Sequence, residues 1–234
     1  MQQSEGSRSP AFTALRRFAR PRVAAEQCEL CSAEIAPDPH HPHLLDPLTR
    51  QILCACPACA LLFSTQEATK FKRIPQRVLA LPDFRMTDAQ WDELLVPVGM
   101  AFFFHSSAAG RALALYPGPA GATESLLSLQ SWAEIVQANA VLESMAPDVE
   151  GLLVNRVKAA DGHHREYYLV PIDACYRLVG LIRANWRGLS GGQEVWHEIE
   201  GFFSQLRARS DPAPAAQLPP NPSPPAPLWR RERT

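Results

Sequence analysis

Five of the six cysteines lie between Cys28 and Cys59, at the spacing of a metal site. The order is Cys28-x2-Cys31, then 22 residues, then Cys54-x-Cys56-x2-Cys59. Two C-x2-C pairs roughly 15–25 residues apart are the pattern of a two-knuckle zinc site. A thiolate pair on one tight turn supplies two ligands at about 2.3 Å, and a second turn closes the tetrahedron. Five sulfurs exceed four ligand places. The expected set is Cys28, Cys31, Cys56 and Cys59, the two complete pairs. Cys54 is either an alternative ligand or a small buried residue on a strand. Zinc is the expected ion, and iron in the same four thiolates is the alternative.

The residues between the pairs must bring them together. His43 to Asp46 reads as a strand, Pro47 to Arg50 as a turn, and Gln51 to Leu53 as the return strand. Pro57 directly after Cys56 favours a helix start, because its fixed backbone suits the first helical position. The helix is expected to run to about Thr65, with the second pair at its positive end, where thiolates are favoured. Knuckle, hairpin and helix in that order make a zinc-ribbon or treble-clef-like module. His40, His41 and His43 also fall here. Pro37, Pro39 and Pro42 punctuate that stretch and are expected to spread the imidazoles over a solvated loop; added metal affinity is the alternative.

Composition limits what else the chain can be. With 234 residues, 46% of them hydrophobic, it can bury one sizeable core beside a small metal module. A net charge of -1 gives no global pull towards nucleic acid. Lys70, Lys72, Arg73 and Arg77 form a local basic stretch with Phe71 alone among them, so a solvated face is expected and a nucleic-acid-binding zinc ribbon is a minor alternative. Cysteines in metal spacing imply a reducing compartment, hence the cytoplasm. No apolar run approaches the roughly 18–20 residues of a membrane span. Arg16-Arg17 is followed by Arg20, Pro21 and Arg22 rather than an apolar stretch, which argues against export.

The expected organisation has five parts. Residues 1–25 are a disordered basic tail, 26–66 the zinc module, 67–86 a connector, 87–209 an α+β domain, and 210–234 a disordered Pro-rich tail. In the larger domain Thr87 and Gln90 form a capping box for a short helix, and Ser131 with Glu134 reads as another. Val98 to Phe104 and Arg111 to Tyr116 are strands joined by a turn at Ser106 to Gly110. Gly151 to Val157 and Glu166 to Ile172 form a second hairpin, with His163 and His164 at its solvated tip. A helix capped by Asp173 carries the apolar stripe Cys175, Leu178, Val179, Ile182 and Trp186. Val195, Trp196, Ile199, Phe202, Phe203 and Leu206 mark the last helix, with a broad apolar face. The fold class is therefore α+β, with antiparallel hairpins and interspersed helices.

Little in this domain points to catalysis. It has no triad, no paired-carboxylate motif and no His-Glu-x-x-His. Pro117 to Gly121 lacks the Lys and Ser/Thr of a phosphate-binding loop. Cys175 sits on a core stripe, and Asp173 and Glu194 are helix-start charges. Arg111, Arg177, Arg183 and Arg187 are read as ordinary exposed residues, with an anion or partner surface as the alternative.

The segments CELCSAEI, ILCACPACALLF, APDVEGLLVNR and VPIDACYRLVGLIRANW together resemble a family of uncharacterised bacterial proteins. Its members are typically encoded beside nickel–iron hydrogenase structural and maturation genes. The resemblance spans about residues 26 to 207. It implies an accessory protein that binds a hydrogenase subunit or maturation factor, with a structural zinc. A rubredoxin-like electron carrier is the alternative, but Ser32 and Ala60 stand where rubredoxins carry glycine after each pair. The hydrogenase nickel-insertion protein also has a two-knuckle zinc site and needs a histidine beside its initiator Met. Gln2 and Gln3 follow Met1 here, which argues against nickel loading by that route.

Overall fold

The computed structural model describes residues 26–36, 41–64, 70–126, 129–157, 165–188 and 190–213. His40, His163, His164 and both expected tails up to Ala25 and from Pro214 lie outside them. The chain divides into two compact units, Met1–Arg73 and Ile74–Thr234. The stretch expected to be a connector supplies one short strand to each.

In the N-terminal unit, β1 (His43–Asp46) and β2 (Gln51–Cys54) form the expected hairpin, with His43 opposite Cys54 and Leu44 opposite Leu53. Asp46 sets the turn: its carboxylate accepts from the Leu48 N–H at 3.0 Å, and its carbonyl accepts from Arg50 N–H at 2.8 Å. β3 (Lys72–Arg73) adds to the other edge of β1, giving the order β2-β1-β3. α1 (Pro57–Ser64) follows β2 and opens on Pro57 as its residue type requires. The unit's core is small: Cys28, Ile35, Leu44, Ala55, Cys56 and Ala60.

The second unit is built on a seven-stranded sheet. β4 (Leu79–Ala80), β5 (Met100–Ser106), β6 (Arg111–Gly118), β7 (Gly121–Glu124), β8 (Glu150–Asn155), β9 (Glu166–Pro171) and β10 (Asp211–Pro212) line up as β10-β4-β9-β8-β5-β6-β7. All pairs are antiparallel except β10 with β4. Pro212 cannot donate to a ladder, which suits an edge strand. Pro117 and Gly118 belong to β6, so the expected rigid loop is a tight hairpin turn at Pro119-Ala120.

Helices cover both faces of this sheet, and the strand sequences say why. β8 is buried at every residue and β5 at all but His105, the continuous pattern of strands with no solvent face. One face carries Ala101, Phe103, Leu152, Val154 and Leu169, packed under α2 (Asp88–Glu93) and α3 (Leu129–Ala138) through Trp91 and Trp132. Phe103 stacks on Trp132 with ring centres 5.2 Å apart. The other face meets α4 (Ile172–Asn185) and α5 (Gly192–Arg209). Phe102 packs edge-on to Tyr176 and Tyr168 lies against Phe203. Gly151 permits the close approach of α4: a Cβ there would stand 3.2 Å from the Phe103 carbonyl and 3.6 Å from Cys175 Sγ.

Two helix starts differ from expectation. The Thr87–Gln90 capping box forms in full. The Ser131 box does not, because α3 already begins at Leu129 and the Ser131 hydroxyl donates to Glu93 at 2.7 Å instead. α4 begins at Ile172, so Asp173 lies in its first turn rather than capping it.

Candidate metal centre

Each cysteine pair is shaped by its own backbone device. In the first knuckle the Cys28 N–H donates to Ala33 O at 2.8 Å and the Ser32 N–H to Cys28 O at 2.7 Å, beneath a bridge between Gln27 and Glu34. Ser32 holds φ +59, the left-handed conformation that knuckles commonly assign to glycine. A side chain there costs about 1 kcal/mol. The second pair is different. Ala60 N–H donates to Cys56 O at 2.9 Å inside α1, so Ala60 is right-handed and helical where a rubredoxin would turn at glycine.

These devices bring the four expected sulfurs together. Cys28, Cys31, Cys56 and Cys59 each place Sγ within 4.8 Å of the other three. Cys31 Sγ and Cys56 Sγ are 3.7 Å apart. Four ligands at a zinc–sulfur distance of about 2.3 Å lie about 3.8 Å from one another, so the spacing fits a tetrahedral ion. All six cysteines are free thiols. Cys28 and Cys56 are buried while Cys31 is exposed, which leaves an ion an entry path.

Electrostatics couple the thiols of the group to one another. Burial raises the Cys28 thiol, but donation from the Cys56, Leu30 and Cys31 backbone overcomes it and lowers the thiol to about 6. Cys59 is pushed up to about 12, first by the Cys31 sulfur and then by burial. Cys31 also ends raised: the Ala33 N–H lowers it, and the Cys28 and Cys56 sulfurs outweigh that. Cys28 ionises readily while Cys31 and Cys59 resist. A divalent cation removes that conflict by deprotonating all four. A closed thiolate set offers no open coordination position and, with zinc, no redox chemistry.

Cys54 falls outside this group. It lies with His41 and His43 in a second set of potential ligands. Among the described residues, both such groups belong to the N-terminal unit.

In the second unit, Cys175 is fully buried and burial drives its thiol well above the ordinary value, so it is a core residue. Of the arginines weighed as an anion surface, Arg111, Arg177 and Arg187 are engaged locally, the last with the Ala184 carbonyl at 3.2 Å, and Arg183 is exposed. Arg111 pairs with Glu124 at 2.9 Å, and Arg177 lies over the Phe202 ring at 5.2 Å. A cavity of about 380 Å³ is lined instead by Asp88, Trp91, Val98, Arg156 and Arg165 among others. The Arg156 guanidinium covers Trp91 at 5.1 Å, and Asp88 pairs with both Arg156 and Arg165. Sequence reasoning missed this cluster, because its members come from α2 and from both arms of the β8–β9 hairpin. No helix among the described residues is long and apolar enough to cross a membrane.

The chain belongs to a family of unknown function, DUF5947, whose model matches residues 27–210. That span contains both cysteine pairs and runs through the end of α5. No curated protein and no solved structure matches the chain.

Proposed function

We infer that this protein is a metal-stabilised adaptor, in which zinc at Cys28, Cys31, Cys56 and Cys59 holds the N-terminal unit and the second unit binds a protein partner. The observation that carries this reading is the convergence of four sulfurs within 4.8 Å of one another, a spacing that suits a tetrahedral ion. Sulfur donors and closed geometry suit a structural ion.

A recognition role for the second unit draws support from its surface. Leu95 is 59% exposed and Leu126 85% exposed. The Ser125 hydroxyl shares its one proton between the Leu94 and Leu95 carbonyls at 3.0 and 2.8 Å, which ties the backbone next to Leu126 to that of Leu95. Leu95 also holds φ +55, a strained conformation for a branched side chain. Exposed leucines held in place by their backbone suit an apolar partner surface. The partner class, a nickel–iron hydrogenase subunit or maturation factor, comes from the family resemblance.

The test is metal analysis followed by capture. One equivalent of zinc, a colourless protein and loss of the N-terminal fold with a chelator are expected. Tagged full-length protein then retains a hydrogenase subunit or maturation factor, and Leu95→Asp with Leu126→Asp releases it. A red protein holding iron would replace the adaptor with an electron carrier, and a metal-free, folded protein would defeat both.

A further inference from the structure

We propose that His41, His43 and Cys54 form a second, exchangeable divalent-metal site with one open coordination position. One ligand atom from each lies within 4.8 Å of the others. The chain builds this convergence from two local rules. Pro42 holds an extended backbone and biases His41 towards one too, so residues 41 and 43 project to the same side. The prolines were expected to spread the imidazoles; at this step of two residues Pro42 aligns them. The β1–β2 register then sets His43 directly opposite Cys54.

The surroundings suit a cation. His41 Nδ1 lies 3.3 Å from the Glu26 carboxylate, the outer-sphere pairing that orients a metal-binding imidazole and directs Nε2 to the ion. The His41 and His43 rings are 4.6 Å apart and inclined by 62°, so they are not stacked and one nitrogen of each can face a common point. Cys54 is fixed at both ends of its peptide. Its N–H donates to the Glu29 carboxylate at 2.6 Å, and its carbonyl accepts from Glu29 N–H at 3.0 Å. Glu26 and Glu29 therefore place two carboxylates around the group. Zinc binds nitrogen and sulfur at about 2.0–2.3 Å, so the three side chains close on it with shifts on the order of 1 Å.

Three ligands differ in kind from four. Two neutral imidazoles and one thiolate leave a fourth position for water or a small donor, as in sites where the metal reacts or exchanges. The cation class is one that accepts both imidazole and thiolate, such as zinc or cobalt. This site does not depend on the adaptor reading, and the first four cysteines need not change for it to fill.

The test is a cobalt titration of the full-length protein, after elemental analysis has fixed the metal already held at the four cysteines. The wild type is expected to take up one further equivalent, with tetrahedral visible bands and a single-thiolate charge-transfer band. A moderate chelator removes that equivalent and leaves the first. Cys54→Ser loses the charge-transfer band, and His43→Ala loses the further equivalent. Glu26→Gln weakens it by about ten- to a hundredfold. Retention of the first metal in each variant shows that the unit has folded. Wild-type protein that takes up no further cobalt overturns the proposal, as does uptake with the same spectrum in Cys54→Ser and His43→Ala. Failure of the adaptor reading shows separately, as absence of the first metal.

Discussion

The two units solve the stability problem with different materials. Among the described residues, the N-terminal unit clusters six buried residues, two of them cysteines of the metal group. The second gathers fifteen on one face of its sheet alone, including Phe103, Trp91 and Trp132. Burial of a few small side chains cannot offset the conformational entropy of ordering a short chain, so such a unit needs a staple. The second unit has enough apolar surface and also sustains a buried carboxylate, paired with a half-exposed arginine. Glu150 is 1% exposed and meets Arg77 at 2.5 and 2.7 Å, with the Ala146 N–H as a further donor at 2.8 Å. The contrast teaches where polar chemistry can sit. In the small unit two of the six core residues are cysteines of the metal group, and in the large one the buried Glu150 carboxylate is held by charged and backbone donors.

The sharpest way to break this contrast is Cys28→Ser. Structural four-ligand zinc sites contribute on the order of 10 kcal/mol, so the variant or a chelator should unfold the N-terminal unit. Circular dichroism with metal analysis should show that loss while the second unit keeps its own cooperative transition. One shared transition for both units would sink the distinction. Phe103→Ala tests the other side: it should cost the second unit about 3–5 kcal/mol in denaturant unfolding and leave the metal content unchanged. Arg77→Ala should cost about 2–4 kcal/mol by the same measurement, because it strands a buried carboxylate. Arg77→Met with Glu150→Leu should recover most of that loss. The smallest effect belongs to Ser32. Ser32→Gly should strengthen metal retention by up to about 1 kcal/mol in chelator competition, and Ser32→Val should weaken it. If both variants behave alike, the left-handed knuckle carries no strain.

Legibility followed the range of the forces involved. The β1–β2 hairpin, the helix start at Pro57 and the Thr87 capping box were all readable, because neighbours within a few residues decide them. The Ser131 box had the same local signature and failed, since Glu93, 38 residues away, takes its hydroxyl. The Arg156–Trp91–Asp88 cluster had no signature at all. His41 and His43 were visible as residues, but the two-residue step across Pro42 was misread as a spreading device.

By itself the sequence determined the ligand inventory, the β1–β2 turn and the helix starts at Pro57 and Thr87, because residue type and spacing act on the nearest backbone. Tertiary structure alone decided where Cys54 goes, across from His43, and that β5 lies between β6 and β8. Strand order and register come from burial summed over distant segments, and no single stretch of chain carries that sum.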